Sequence, residues 1–472
     1  MPEPTPRLTD VPISPLPPER FREVLGERYA EVERAIENAR RLFEGRVIWH
    51  INSTAAGGGV AELLHSLLAY ARGAHVDVRW LVIGGNPEFF SVTKSLHNQL
   101  HGIATEPLGE AERQAYRAAS EANAAELAEL VRPEDVVFLH DPQTAGMVGG
   151  LVEAGANVIW RCHIGADQPN AIVREAWSFL RPLIEPAHCY VFSRPQYAWE
   201  GLAPERVAVI SPSIDAFSPK NEELGPEIVA AILDRIGLTP NGGAPAVFQR
   251  QDGSMARVDR RALIEQDCEL PADARVLTQV SRWDRLKDPV GVLEGFAGYV
   301  EGDDAHLLLV GPVADGVSDD PEGAGVFASV REARLALAPE LRRRVHLVSL
   351  PMDDMQENAA MVNAIQRRSD VIVQKSLAEG FGLTATEAMW KFKPVIASAV
   401  GGLQEQVQNG LTGVLIQDPS DLKGFGLAAS ELLADPELIE RMGQAAHERV
   451  REYYLGTRHL LDYVRLLTEM LR

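Results

Sequence analysis

The sequence predicts an α/β protein built from two Rossmann-like domains. Three observations carry this. Short apolar runs alternate with helix-like stretches along most of the chain, the rhythm breaks once near the middle, and it then resumes to the C-terminal region. Alternation of this kind is the signature of a parallel sheet covered by helices on both faces, and one interruption divides it into two such sheets. A chain of 472 residues, 46% hydrophobic and 24% charged, is long enough for each domain to bury its own core.

In chain order, residues 1–43 read as a leader followed by an amphipathic helix. MPEPTPRLTDVPISPLPPER is proline-rich and lacks the apolar centre of a secretory signal, so it is expected to be mobile or draped on the surface. Residues 21–43 place apolar side chains at helical spacing. Strands are expected at Val47–Ile51, Val76–Ile83, Asp135–Leu139, Val158–Cys162, Cys189–Ser193 and Val207–Ile210, which sets an N-terminal domain at 44–218. Residues 219–275 break the pattern and read as a hinge carrying an insertion near 241–260. Runs at Val276–Val280, His306–Val310, Val345–Ser349, Val371–Gln374, Pro394–Ala397 and Gly413–Ile416 define a C-terminal domain at 276–456. A last helix at 457–472 fits either domain.

Composition excludes several classes of function. A net charge of −21, from 46 basic against 67 acidic residues, is the wrong sign for a general nucleic-acid surface. No apolar run approaches the roughly 20 residues needed to span a bilayer, so no membrane partner is expected and the protein is placed in the cytoplasm. Cys162, Cys189 and Cys268 form no C-x-x-C pair, which suits a reducing compartment, and the first two are expected to pack in cores. No His/Cys/Asp/Glu group has metal-ligand spacing, so neither a metal nor another cofactor is expected. The oligomeric state is left open, with a homodimer among the assemblies allowed.

Ligands of open α/β sheets bind beyond the carboxyl ends of the strands, so polar clusters placed there are the candidates. The first follows the first strand: Gly57, Gly58 and Gly59 lead into a helix, where close backbone approach and free N–H groups suit a phosphate. A ligand-free tight turn is the competing reading. His140, Asp141 and Gln143 follow VVFL, and His163 ends VIWRCH; at strand ends of one sheet they can hydrogen-bond sugar hydroxyls, whereas either histidine alone would as readily satisfy local backbone. Arg282 and Lys287 lie on the turn after VLTQV, where two cationic heads can converge on one diphosphate; a solvated loop is the alternative. The fullest cluster follows VIVQK: Glu379, then Gly380, Phe381, Gly382, Leu383 and Thr384, then Glu387. A helix is expected to begin near Leu383, presenting N–H groups to a phosphate between two carboxylates suited to sugar and ribose hydroxyls.

The run from Glu379 to Glu387, with seven residues between, resembles the paired-glutamate motif of retaining glycosyltransferases of the GT-B fold, and SRWDRLK resembles the basic diphosphate loop of family 4. WHINSTAAGGGVAELLHSLL, LHDPQTAG, VIWRCHI and SPSIDAFSPKN are similar to segments of glycosyltransferring trehalose synthases. Residues Gly165–Gln168, after the RCHI segment, depart from the acid that members often carry there.

The resemblance implies two Rossmann-like domains with the active site in a cleft between them. It also implies glucose transfer from a nucleoside-diphosphate glucose, such as UDP-glucose, to glucose, giving α,α-trehalose with retention and without a metal. Arg282 and Lys287 would stabilise the leaving diphosphate, Glu387 would bind the ribose and Glu379 the donor sugar. Gly57–Gly59 would close over the phosphates, and His163 would line the reacting centre. The partners implied are small sugars and a nucleotide. A transferase using a sugar acid or sugar phosphate, a sugar phosphorylase, and a dinucleotide-binding protein without turnover are the alternatives; the last lacks the expected G-x-G-x-x-G.

Overall fold

The computed structural model describes residues 7–55, 58–240, 243–313 and 322–471. The chain divides into two compact units, Met1–Ser213 with Gly456–Arg472, and Ile214–Leu455. The segment read as a hinge, 219–275, therefore lies inside the second unit, and the terminal helix belongs to the first.

The first unit contains β1 (Thr9–Asp10), β2 (Ile48–Asn52), β3 (Val78–Val82), β4 (Val136–His140), β5 (Asn157–Cys162), β6 (Cys189–Phe192) and β7 (Val207–Val209). Their order across the sheet is β1-β3-β2-β4-β5-β6-β7, parallel except for β1, which pairs antiparallel with β3. Strand residues alternate between two cores: Val47, Trp49, Ile51, Val137, Leu139, Val158 and Trp160 line one face, and Ile48, Val136, Phe138 and Ile159 the other. Burial on both faces explains why these strands read as continuous apolar runs. Each fully buried aliphatic side chain contributes about 1.5–3 kcal/mol.

Among the described residues the leader is draped on the first unit. Val11 and Leu16 are buried, and the Leu16 amide donates to the Ala69 carbonyl over 2.9 Å. The amphipathic segment is broken at Gly26, with a long helix only at Tyr29–Leu42. Cys162 and Cys189 are buried as expected, Cys268 is exposed, and burial pushes the Cys189 thiol up to about 12.

The second unit adds β8 (Val247–Gln249), β9 (Met255–Arg257), β10 (Leu263–Glu265), β11 (Arg275–Val280), β12 (Ala305–Pro312), β13 (Val345–Leu350), β14 (Val371–Gln374), β15 (Val395–Ser398) and β16 (Gly413–Ile416). β8 and β9 form a separate antiparallel pair, and the main sheet runs β10-β13-β12-β11-β14-β15-β16. The supposed hinge instead supplies a helix, Pro226–Ile236, that covers one face: Val229, Ile232, Leu233 and Ile236 pack with Val276, Leu308 and Val310. Strand order reverses between β2 and β4 in the first unit and between β11 and β14 in the second. Those two switch points are where an α/β sheet opens to a ligand. Among the described residues no helix is long and apolar enough to cross a membrane.

Candidate active site

In the second unit the switch point brings together the turn after β11 and the loop after β14. The turn ends in a short 3-10 helix, Arg285–Lys287, capped by the Asp284 carboxylate, which accepts from the Leu286 amide over 2.8 Å. Lys287 is thereby directed to Glu379, with which it forms an ion pair, and the same carboxylate oxygen lies 3.4 Å from both Gln374 Nε2 and Ser376 Oγ. Arg282, half exposed, pairs with Asp284 at 3.1 Å, so in this structure the two expected cations engage different carboxylates.

The loop from Glu379 is held in shape by glycines. Gly382 adopts φ +86° as the residue before the helix Leu383–Trp390, which begins where the sequence placed it. Gly401, at φ +52°, packs so closely that an added Cβ would sit 1.8 Å from the Glu379 carbonyl oxygen, and the Gly402 amide donates to the Gly380 carbonyl over 3.0 Å. Only glycine combines that backbone with that approach. Gln406 donates to the Phe381 carbonyl from below the turn. Glu387 is buried on the helix, and Lys220 reaches it at 3.4 Å, while Lys391 donates to Asn221 Oδ1 over 2.9 Å. Ser376 opens the cluster read after VIVQK, whereas Lys220, Gln374, Gly401 and Gly402 were not singled out from sequence; Gln374 ends a strand, and that placement was the available signal.

In the first unit, Gly58 opens the helix Gly58–Gly73 with φ +78°, and Gly59 is exposed in its first turn. Gly57 lies outside the described residues. Across the switch point, Asp141 takes φ 65° and ψ 178°, a region that costs a non-glycine residue about 1–3 kcal/mol. Its carboxylate offsets this by accepting the His163 amide over 2.7 Å and facing His163 Nδ1 at 3.1 Å. Gln143 sits on the following 3-10 turn, Pro142–Met147, and its Oε1 is a buried acceptor with no hydrogen-bond partner among the described residues. The neighbouring Asp167, in the segment that departs from the family pattern, pairs with Arg194.

Period-two alternation puts His50, His140 and Arg161 on one face of the sheet, the face covered by the terminal helix Gly456–Met470. His50 Nδ1 lies 3.0 Å from His140 Nε2, and the His140 ring stacks on His163 at 5.3 Å. Arg161 is fully buried, with its Nε donating to His163 Nε2 over 2.7 Å and its head reaching His459, Tyr463 and the Ile210 carbonyl. His459 Nδ1 in turn faces Ser213 Oγ at 3.0 Å. Burial, reinforced by Arg161, drives His50 down to about 3, and burial with neighbouring cationic groups holds His140 and His459 well below the usual imidazole range. For His163 burial and Arg161 lower the pKa against the opposing pull of Asp141, and the net direction is down. The sequence thus pointed to His140, Asp141 and His163, and missed His50, His459 and Tyr463.

A family model described as trehalose synthase, N-terminal domain, matches residues 50–199, and one described as glycosyl transferases group 1 matches residues 261–449. The trehalose synthase of Pyrococcus horikoshii is 36% identical over 453 residues, covering 96% of this chain and 96% of its own. The chain belongs to the trehalose synthase family of GT-B glycosyltransferases. Membership makes it a hexosyltransferase with a glucosyl-transfer role in trehalose metabolism. The trehalose phosphorylase of Pleurotus sajor-caju is 27% identical over 458 residues, 88% of this chain but 57% of that one. A solved α,α-trehalose-phosphate synthase (UDP-forming) from Burkholderia xenovorans, in complex with glucose-6-phosphate, has a TM-score of 0.66 at 15% identity and covers 90% of this chain and 100% of its own. That likeness shows the shared fold.

Proposed function

We propose that this member of the trehalose synthase family transfers glucose from a nucleoside-diphosphate glucose to free glucose, forming α,α-trehalose with retention at the donor anomeric carbon. The observation that carries the donor side is the Lys287–Glu379 pair at the second unit's switch point, beside the N-terminus of the helix Leu383–Trp390. A cation, a carboxylate and free helix N–H groups are the chemistry that phosphates joined to a sugar require. Lys287 and Arg282 stabilise the departing diphosphate, and Glu379 bonds donor-sugar hydroxyls. Glu387, oriented by Lys220, accepts from the ribose, while amides of Gly380–Thr384 meet the phosphates. The bond from the anomeric carbon to the phosphate oxygen breaks as the acceptor hydroxyl bonds to the same face, and the hydroxyl proton passes to the departing phosphate oxygen. Fixed cations lower the barrier because negative charge grows on that phosphate. His140, Asp141, Gln143 and His163 line the acceptor side.

The test is one incubation series with UDP-, ADP- or GDP-glucose, offering glucose, glucose 6-phosphate, glycerate or inorganic phosphate. Prompt product is expected with glucose alone, identified as non-reducing trehalose by a single anomeric NMR signal. Release of glucose 1-phosphate from trehalose by phosphate would instead select the phosphorylase reading, which the Pleurotus relative favours.

Because Arg282 and Lys287 supply the positive charge, initial rates are expected to be unchanged in EDTA and not raised by added Mg²⁺ or Mn²⁺. A rate that falls on chelation and returns with one of these ions would overturn that assignment.

A further inference from the structure

Among the described residues, the buried cluster of the first unit contains one guanidinium and one carboxylate that are joined through a single imidazole. Asp141 faces one nitrogen of His163 at 3.1 Å, and Arg161 donates to the other over 2.7 Å. A guanidinium has only donors and a carboxylate only acceptors. The proton arrangement of the ring follows: Nε2 carries the lone pair that accepts from Arg161, and Nδ1 carries the hydrogen donated to Asp141. An imidazolium would oppose an N–H to the Arg161 N–H.

Arg161 is itself fixed from several directions. Its Nη1 lies 3.1 Å from His459 Nε2 and also bonds the Tyr463 hydroxyl, its Nη2 donates to the Ile210 carbonyl over 3.1 Å, and its guanidinium carbon lies 5.3 Å from the Tyr463 ring centre. By the same logic His459 Nε2 is an acceptor and its Nδ1 hydrogen serves Ser213 Oγ. The terminal helix, which carries both His459 and Tyr463, thus anchors the arginine that determines the state of His163.

We infer that Arg161 is a positioning residue of the acceptor side: with Asp141 it holds His163 as the neutral Nδ1–H tautomer, and with both charges engaged across that ring the site takes an uncharged hydroxyl compound. The inference rests on the glucosyl-transfer reading for its acceptor and deepens it. Arg161 is the basic residue nearest the acceptor-side histidines in sequence, and its burial and four partners withdraw it from recognition of a phosphate or carboxylate. Other groups act in the same directions. The His140 ring stacks on His163, His50 contacts His140, Arg458 and His50 act on His459, and His97 acts on Asp141 from its own helix.

Imidazole-¹⁵N NMR of the intact protein reads the ring directly, with His163→Asn used to assign its signals. Wild type is expected to show a protonated Nδ1 and an unprotonated Nε2 from pH 8 to 5.5. In Arg161→Gln, His163 should become protonated at higher pH, the KM for glucose should rise about tenfold with the donor KM little changed, and discrimination against glucose 6-phosphate should fall. Should Arg161→Gln not fold, Tyr463→Phe, which removes one anchor, is expected to move the same readouts in the same direction by less. An Nε2–H tautomer in wild type, or unaltered signals and acceptor KM in a folded variant, would overturn the inference. A wild-type protein with the expected ring state that transfers no glucose would overturn the reaction reading and, with it, the acceptor assignment alone.

Discussion

Lys287→Ala is expected to lower kcat by two to three orders of magnitude, the loss typical when a fixed group that stabilises transition-state charge is removed. Lys287 is partly exposed on a short 3-10 turn whose geometry is set by Asp284 and by the Gln279 side chain donating to the Lys287 carbonyl over 2.6 Å, so the backbone does not depend on the ammonium. The substitution also removes the ammonium that pairs with Glu379, which the proposed function sets beside the leaving diphosphate. On the proposed reading the lost charge is one that the transition state needs, so the defect should appear in kcat more than in thermal stability. Arg282→Ala should act in the same sense, while Lys287→Arg should restore part of the rate because the charge returns in a bulkier shape. Steady-state kinetics with matched melting curves check this; a folded Lys287→Ala protein turning over at near-normal rate would remove Lys287 from the mechanism.

The legibility of this fold came from its doubly covered parallel strands. A strand buried on both faces is apolar at most positions, so the main strands of both sheets appeared as runs such as VVFL or VIVQ, polar residues entering where a partner satisfies them. Edge strands lack that pressure. Thr9–Asp10 is two exposed polar residues and Leu263–Glu265 a three-residue antiparallel edge, and neither has a pattern to read. Residues 219–275 were misplaced for a related reason: turn-rich segments such as NGGAP surround a helix whose apolar stripe points into a core made by distant strands.

Site residues divided in the same way. Asp141 and His163 lie next to strand ends, and Glu379, Gly382 and Glu387 lie on the loop and helix that follow β14, so all could be found by position. Which of them pair could not be read: Lys287 and Glu379 are 92 residues apart, and Arg161 and His459 are 298 apart. An aspartate forced to φ 65° likewise leaves no mark in sequence, since the strain becomes intelligible only when its carboxylate is seen bonded to the His163 amide.

Stability is expected to fall on mild acidification, well before carboxylates titrate. His50, His140, His163 and His459 in the first unit, and His306 and His346 in the second, all have lowered pKa values with burial as the main cause; His50 and His346 reach about 3. In each unit these rings bond one another, with His306 Nδ1 at 2.9 Å from His346 Nε2 and His346 Nδ1 at 3.0 Å from Gln266 Oε1. A folded-state pKa below the unfolded one means that the unfolded chain binds more protons once pH falls under about 6.5. The contribution of each neutral ring is therefore complete above that value and is lost progressively toward the folded pKa, down to about 3 for His50 and His346. His50 and His346 each cost about 1.4 kcal/mol per pH unit across this window. His50 alone amounts to roughly 2 kcal/mol by pH 5, against a typical total stability of about 5–15 kcal/mol, and the other lowered rings act in the same direction. Melting temperature should be flat from pH 8 to 7 and fall steeply between 6.5 and 5. His50→Asn, which removes one titrating ring, should start lower but show a shallower fall. A melting temperature unchanged between pH 7.5 and 5 would mean that the histidines are not held neutral by their surroundings.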